Sequence, residues 1–322
     1  MVNDTKKIRG VVRMKLCWKA LAVSCAAFAA FGLAGCGSES GSSGKKVFFA
    51  AHADAVDYTG MLYEGVKSRL GSQGAEVEFL NSNGDANMQI DQINEAIAQK
   101  PAAIVVLAVD GDAVIPVVEK ANEAGIPVIA TNRDLNGGKI AKVMSDERQA
   151  GRLQGEYMAK HLPQGAKIVY LMGEGSQSSA VQRWEGFKEA CLDKRSDIQL
   201  LAKADGNWSE AEGLKYMTLW LQVFPKIDAV IAGNDNMALG ASKALKAADR
   251  NQGVLVSGVD AMDYAVAGVA SGEIAQTVKQ DADKTAEAIA GLLQAALSGK
   301  IPTDDVKVPF TEITKENVAQ FK

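Results

Sequence analysis

The chain has 322 residues with 35 Lys+Arg against 39 Asp+Glu, a formal net charge of −4. Six of those basic residues and one acidic residue fall in the first 35 positions, so the remainder carries 29 against 38, a balance near −9. That balance argues against nucleic acid as a partner, because phosphate binding is carried by Lys and Arg.

Met14-Lys15 opens a short basic region, and an apolar run follows from Ala20 to Leu33. The run is shorter than the roughly 20 residues a transmembrane helix needs. Basic flank, apolar core and small residues read as an export signal over residues 1–35. Met14 begins a complete signal by itself, which makes residues 1–13 an upstream extension or leaves Met14 as the true start. The stretch Leu33-Ala34-Gly35-Cys36 resembles a lipobox, the pattern at which bacterial lipoproteins are cleaved and the cysteine is acylated. It implies lipidation of Cys36 and a membrane anchor; a plain signal with an incidental cysteine is the blander alternative. Residues 37–44, GSESGSSG, hold no apolar side chain, so 36–44 reads as a flexible tether. Cys17 and Cys25 lie in the signal, so Cys191 alone remains in the mature domain and no internal disulfide is expected. In FKEACLDK, Cys191 reads as a buried structural thiol.

Globular sequence begins near Lys45. Eight apolar runs read as buried parallel strands: 47–49, 77–80, 103–107, 128–129, 168–171, 198–201, 229–231 and 254–256. Each is followed by a segment read as helical, for example Met88, Ile90, Ile93 and Ile97 before Pro101. That βα alternation predicts an α/β chain with doubly wound parallel sheets. A pause at residues 145–151 divides the eight into two fours, hence two lobes, with a helix from Arg148 to His161 opening the second. Two late runs, 274–278 and 306–308, extend a sheet or carry the chain back between lobes.

In open parallel sheets, ligands sit beyond the carboxyl ends of the strands. Here nearly every strand ends in polar residues, among them Asn132-Arg133-Asp134, Asp205-Gly206-Asn207-Trp208, Asn234-Asp235-Asn236 and Asp260. Helix N-capping accounts for Asp112, Asp235 and Ser209. It does not account for Trp208 or for Arg133, whose charge the helix dipole disfavours at an N-terminus.

Recognisable catalytic chemistry is missing. His52 and His161 lie in different lobes, and no Cys/His cluster has metal spacing. Gly173-Glu174-Gly175-Ser176 lacks the third glycine of a dinucleotide fingerprint, and neither a P-loop nor a nucleophile elbow occurs. No cofactor is implied. Carboxylates, amides and guanidinium groups beside aromatics suit a neutral polyhydroxyl ligand, because they bind hydroxyls in bidentate geometry while rings cover C–H faces.

The stretches SDERQAGRLQGEYMAKHL (145–162), SSAVQRWEGFKEA (178–190), AVIAGNDNMALGASKAL (229–245) and VSGVDAMDYAVAGVASGEIAQTVKQ (256–280) resemble the ribose-type periplasmic sugar-binding proteins, relatives of the lac-repressor core. The resemblance runs from Lys45 to the C-terminus. It implies a type I periplasmic binding fold: two doubly wound lobes, 45–145 plus 281–309 and 146–280 plus 310–322, joined by three crossings near Ser145-Asp146, Gln280-Asp281 and Pro309-Phe310. Carried over by position, the ligand contacts are Tyr58 with Asp57 beside it, Asn132 and Arg133, Asp146, Arg183, Trp208, Asn234, Asp260 and Gln280. Blander readings stand beside these: Asp260 as an N-cap, Gln280 as an interlobe hydrogen bond, Asn234 as a turn residue, and Arg183 as a surface partner of Glu185 or Glu189. Thr59 replaces the family's second aromatic, with Asp57 as the contact in its stead; Leu107-Ala108-Val109 replaces the family's asparagine contact, which argues against ribose in the same pose. Asn132-Arg133, Ser145-Asp146-Glu147 with Ala150-Gly151, and Asn207-Trp208 look more like inositol-type members. The reading is a monomeric, lipid-anchored, extracytoplasmic receptor that captures a monosaccharide or cyclic polyol by hinge closure and delivers it to an ABC permease. A sensory receptor feeding a chemoreceptor or sensor kinase is the alternative, and a sugar-modifying enzyme ranks below both.

Overall fold

The computed structural model describes residues 45–52 and 57–321. The expected signal, tether and acylated Cys36 lie outside the described residues.

Strand β1 (Lys46–Ala51) has the sequence KVFFAA and is buried from Val47 onward, which only a strand covered on both faces can be. It lies inside a six-stranded sheet with β2 (Glu76–Asn81), β3 (Ala103–Val106), β4 (Val128–Thr131), β5 (Ile140–Met144) and β11 (Asp305–Lys307), in the order β11-β5-β4-β3-β1-β2. Alternate side chains of β1 serve opposite faces. Val47 and Phe49 pack with α1 (Asp57–Gly71) and α9 (Ala282–Leu297), whereas Phe48 and Ala50 pack with α2 (Ala86–Ala98) and α3 (Ile115–Glu123).

The second sheet repeats the plan with β6 (Lys167–Met172), β7 (Gln199–Asp205), β8 (Ala229–Ala232), β9 (Leu255–Val259), β10 (Gln276–Lys279) and β12 (Thr311–Thr314), ordered β12-β10-β9-β8-β6-β7. Helices α4 (Glu147–His161) and α5 (Ser178–Phe187) bury Met158 and Phe187 against Ile168 and Tyr170 on one face. Helices α6 (Glu210–Val223) and α7 (Asp235–Ala247) bury Met217 and Leu245 against Val169 and Val230 on the other. A shorter helix, α8 (Asp263–Ser271), follows β9. Cys191 is fully buried in a π-helical turn after α5, and burial pushes its thiol up to about 11.

The chain passes between the sheets three times: from β5 into α4, from β10 into α9, and from β11 to β12. Strand β11 joins β5 in parallel and β12 joins β10 antiparallel, so the last residues finish both sheets.

Three local expectations are corrected. Strand β4 is followed by no helix: residues 132–139 loop back to β5, which pairs with β4 in parallel. Gly137 and Gly138 make this crossover possible, since a Cβ at either would come within 2.9 and 2.7 Å of Ile115 and Val118 in α3. In α2, Met88 points outward and Gln89 is buried in its stead. Asp112 and Asp235 are not caps. Asp110 accepts from the backbone N–H groups of Asp112 and Ala113, and Asn234 caps α7. Ser209 does cap α6, accepting from Glu212 N.

Helices α4 and α5 touch backbone to backbone. A Cβ on Gly151 would lie 1.9 Å from Arg183 O, and one on Gly186 would lie 2.1 Å from Arg148 O. Gly151→Ala is therefore expected to lower the unfolding free energy by about 1–3 kcal/mol, as forced overpacking does. Chemical denaturation of the variant against the parent protein measures it.

Candidate functional site: a cavity between the lobes

A cavity of about 810 Å³ opens where the carboxyl ends of the two sheets face each other. Of the residues named from sequence, Asp57, Tyr58, Asn132, Arg133, Arg183, Trp208, Asn234, Asp260 and Gln280 line it, and Asp146 does not. Asp146 caps α4 by accepting from Gln149 N at 3.0 Å and pairs with Arg152 at 2.9 Å, so both its oxygens are engaged elsewhere. Its neighbour Glu147, one helical step on, faces inward and is buried.

On the first lobe, Arg133 follows Asn132, whose φ of 64° turns the chain sharply at the end of β4. Arg133 is 5% exposed and donates from Nη1 to Ala108 O at 2.9 Å. Its Nε is buried with no partner among the described residues. Desolvation lowers its pKa to about 9, which leaves it charged at neutral pH. The apolar segment after β3 is satisfied from beneath. Gln89 accepts from Val109 N at 2.8 Å and donates to Leu107 O at 3.0 Å, leaving the Ala108 carbonyl for the arginine. Tyr58 presents its ring from the start of α1 and is packed into the first lobe's core; burial holds its phenol protonated far above the usual range.

On the second lobe, Arg183 from α5 is 3% exposed. Its Nε donates to Glu147 Oε2 at 2.6 Å, Nη1 to Gly233 O at 2.6 Å and Nη2 to Gln280 Oε1 at 3.1 Å. Burial opposes its charge, but Glu147 and Asp260 outweigh burial and hold its pKa up. Burial raises Glu147 in turn, opposed by the guanidinium at 2.6 Å. Glu185 and Glu189, the blander partners for Arg183, pair with Arg148.

Trp208 sits in a left-handed turn, with φ 50° at Asn207 and 60° at Trp208. Its ring lies against the backbone of Gly173, where a Cβ would come within 2.1 Å of Cζ2. The indole Nε1 donates to Gln177 Oε1 at 2.7 Å, and Arg183 Cζ stands 5.4 Å from the ring centroid. Asn234 steadies this turn. Its Nδ2 donates to Trp208 O at 3.1 Å while its Oδ1 accepts from Met237 N, so capping and turn-holding occupy both ends of the amide. Asp260 is 9% exposed and accepts no hydrogen bond among the described residues; its nearest cation is Arg183 Nη1 at 4.0 Å. Burial raises its pKa well above the usual carboxylate range, against the pull of Arg183.

Contacts bridge the cleft at three places. Gln280 Nε2 donates to Asn132 Oδ1 at 2.6 Å. Asn236 Nδ2 donates to Asp57 Oδ2 at 2.7 Å, with Tyr264 donating to the same amide. On the opposite rim, Gln182 Nε2 donates to Asp134 Oδ2 at 2.7 Å and Ser178 Oγ accepts from Asp134 N at 3.2 Å. Sequence reasoning did not single out Glu147, Gln177 or Asn236. Glu147 stood in the Ser145-Asp146-Glu147 stretch likened to inositol-type members but was given no role of its own. The other two act through neighbours that no local pattern connects to them.

His52 closes the first wall beside Arg133. Burial, helped by that positive neighbour, lowers its pKa to about 2. A depressed histidine stays neutral when folded but takes up a proton when unfolded below about 6.5. Its contribution is therefore present above about pH 6.5 and is lost progressively as pH falls toward 2. Thermal melts at pH 5 and 7.5 are expected to differ less for His52→Gln than for the parent chain.

The family profile described as periplasmic binding protein domain matches residues 47–301. A putative rhizopine-binding protein of Rhizobium meliloti is 34% identical over 293 residues, covering 85% of this chain and 94% of that protein. A xylitol-binding protein of Mycolicibacterium smegmatis is 33% identical over 313 residues, covering 95% and 88%. An ABC transporter solute-binding protein of Bacillus halodurans, solved with bound myo-inositol, superposes with a TM-score of 0.81 at 30% identity, covering 87% of this chain and 98% of that one.

Proposed function

The chain belongs to the periplasmic binding protein domain family, and we propose that it is the solute-binding component of an ABC importer, taking up a neutral monosaccharide or cyclic polyol. One observation carries the ligand class. The cavity offers a guanidinium with unused donors, Arg133, and a carboxylate with unused acceptors, Asp260, from opposite lobes. A compact ligand able both to donate and to accept on opposite edges satisfies both groups, and a ring bearing hydroxyls all round does so. Trp208 supplies an aromatic wall for its C–H face.

The charges support a neutral ligand. Arg183 is balanced by Glu147 and Asp260, and Arg133 by Glu174. Sugar phosphates would bring uncompensated negative charge. The named ligands of the relatives, rhizopine, xylitol and myo-inositol, point to the polyol end of the class.

Closure follows from the three crossings. Lobes joined by short linkers swing about them, and a ligand touching both lobes favours the closed arrangement by its differential affinity. The closed molecule is delivered as a monomer to the permease. Cys36 carries the lipid that holds it at the membrane, a reading supported by the lipobox-like LAGC and the Gly/Ser tether.

Thermal unfolding of residues 37–322 against pentoses, hexoses, inositols, linear polyols and their phosphates tests the ligand class. A ligand bound only by the folded state at a thousand-fold excess over Kd adds about 4 kcal/mol. A large shift for one neutral polyol, absent for its phosphate, is expected; a flat panel defeats the reading. Arg133→Ala and Asp260→Ala are each expected to weaken the best ligand about 10- to 100-fold, as loss of charge-assisted hydrogen bonds does. Cys36→Ser is expected to abolish incorporation of labelled palmitate into the full-length protein.

A further inference from the structure

Next to the cavity lies a carboxylate that ligand binding does not explain. Resting on the binding role assigned above to Asp260, we propose that Asp235 is a positioning residue: it brackets the strained turn after β9 and so holds the Asp260 carboxylate aimed into the cavity.

Asp235 is fully buried and is absent from the cavity lining. It opens α7 directly after the cap Asn234, yet its side chain leaves the helix and crosses to β10 and to the turn after β9. Oδ1 accepts from Thr277 Oγ1 on β10 at 2.8 Å, and Oδ2 accepts from Met262 N at 2.9 Å. The same threonine hydroxyl accepts from Ala261 N at 3.3 Å. One carboxylate thus secures two successive backbone N–H groups, one directly and one through Thr277.

The segment so secured is unusual. Asp260 has φ 119° and Ala261 has φ 58°, two consecutive residues with side chains in the left-handed half of backbone space. Such conformations persist only where surrounding contacts over-determine them. Asp260 N, bonded to Val278 O at 2.8 Å, pins one side of the turn, and Asp235 pins the other. Gly258 leaves the space: a Cβ there would lie 2.1 Å from Asp235 Oδ1. No hydrogen bond among the described residues orients the Asp260 carboxylate itself. Its direction therefore derives from its backbone, and its backbone from Asp235. Helix-dipole compensation does not require this arrangement, because an exposed first-turn acid would provide it. Burial raises the Asp235 pKa to about 7, so keeping an acid here works against its ionisation.

Asp235→Ala, Asp235→Asn and Thr277→Val are made in the parent protein and in Asp260→Ala. Affinity is measured by calorimetry for whichever polyol most stabilises the parent, together with the melting temperature of the free protein. Asp235→Ala is expected to weaken binding about tenfold or more, since misplacing a contact group by about 1 Å has effects of that order. Asp235→Asn restores most of it, because its carbonyl oxygen still accepts from Met262 N while its amide nitrogen donates to Thr277 Oγ1 in place of accepting from it. Thr277→Val moves affinity in the same direction as Asp235→Ala and serves should that variant fail to fold. In the Asp260→Ala background, Asp235→Ala is expected to change affinity by less than about twofold, as coupling through one group requires. Equal losses in both backgrounds, or no loss in the parent, overturn the inference while the binding role of Asp260 stands. A panel on which the parent binds nothing defeats that role instead. A crystal structure of Asp235→Ala then decides the inference without a ligand: Asp260 still near φ 119° overturns it, and a relaxed turn supports it.

Discussion

A guanidinium taken out of water must find every partner inside the protein, and at Arg183 that requirement organises the region between the lobes. Its partners come from four separate places: Glu147 at the first crossing, Gly233 after β8, Gln280 at the second crossing, and Phe310 at the third, 5.7 Å from its Cζ. Leaving a buried charge unpaired costs several kcal/mol, so none of these contacts is optional. The close approach of α4 and α5, permitted by Gly151 and Gly186, brings Glu147 within reach. From Gln280 the network continues to Asn132 in the first lobe. The three chain crossings are thus held around one charge.

The two cavity arginines differ in what remains open. Each guanidinium nitrogen of Arg183 has a protein partner, whereas Arg133 spends Nη1 on Ala108 and its Nε has none among the described residues. That makes Arg183 part of the frame, and incompleteness makes Arg133 a group that gains by meeting a ligand. The cross-cleft contacts at Asp57–Asn236 and Asp134–Gln182 lie at the exposed rim. Rim hydrogen bonds compete with water and contribute little each. They steady the closed arrangement without deciding it, which leaves the decision to whatever fills the cavity.

Much of the fold is legible in the sequence because parallel strands buried on both faces are written as unbroken apolar runs. Strand β5 is not so legible. It is half-buried and short, and its outer neighbour β11 arrives some 160 residues later. Strand β12 likewise depends on an antiparallel partner that no local pattern announces. The cap of α7 slips by one residue, from Asp235 to Asn234, and α3 has no side-chain cap, Asp110 instead holding the turn before it, since the cap is chosen by backbone geometry and not by residue type alone. At the cavity, residues at strand ends are legible because those ends must converge. Glu147 and Asp235 are not. Glu147 looks like an ordinary first-turn acid and Asp235 like a cap, and only the packing of distant elements turns each inward. Asp146 shows the same limit in reverse: one helical step separates a solvent-facing cap from the buried partner of Arg183.

The order in which the first lobe receives its parts has a consequence for folding. One face of its sheet, with Val47, Phe49, Val105 and Ile129, is covered by α1 and by α9. Helix α9 spans Ala282–Leu297 and β11 lies beyond it, so a growing chain leaves part of that apolar face uncovered until α9 has been made. The N-terminal lobe is therefore incomplete until α9 and β11 are present, and no contiguous fragment ending before α9 contains its whole core. Nascent or truncated chains present that uncovered face as a surface for chaperones or for aggregation. Cooperative folding must await the C-terminal residues, which makes the far end of the chain the checkpoint for the near one.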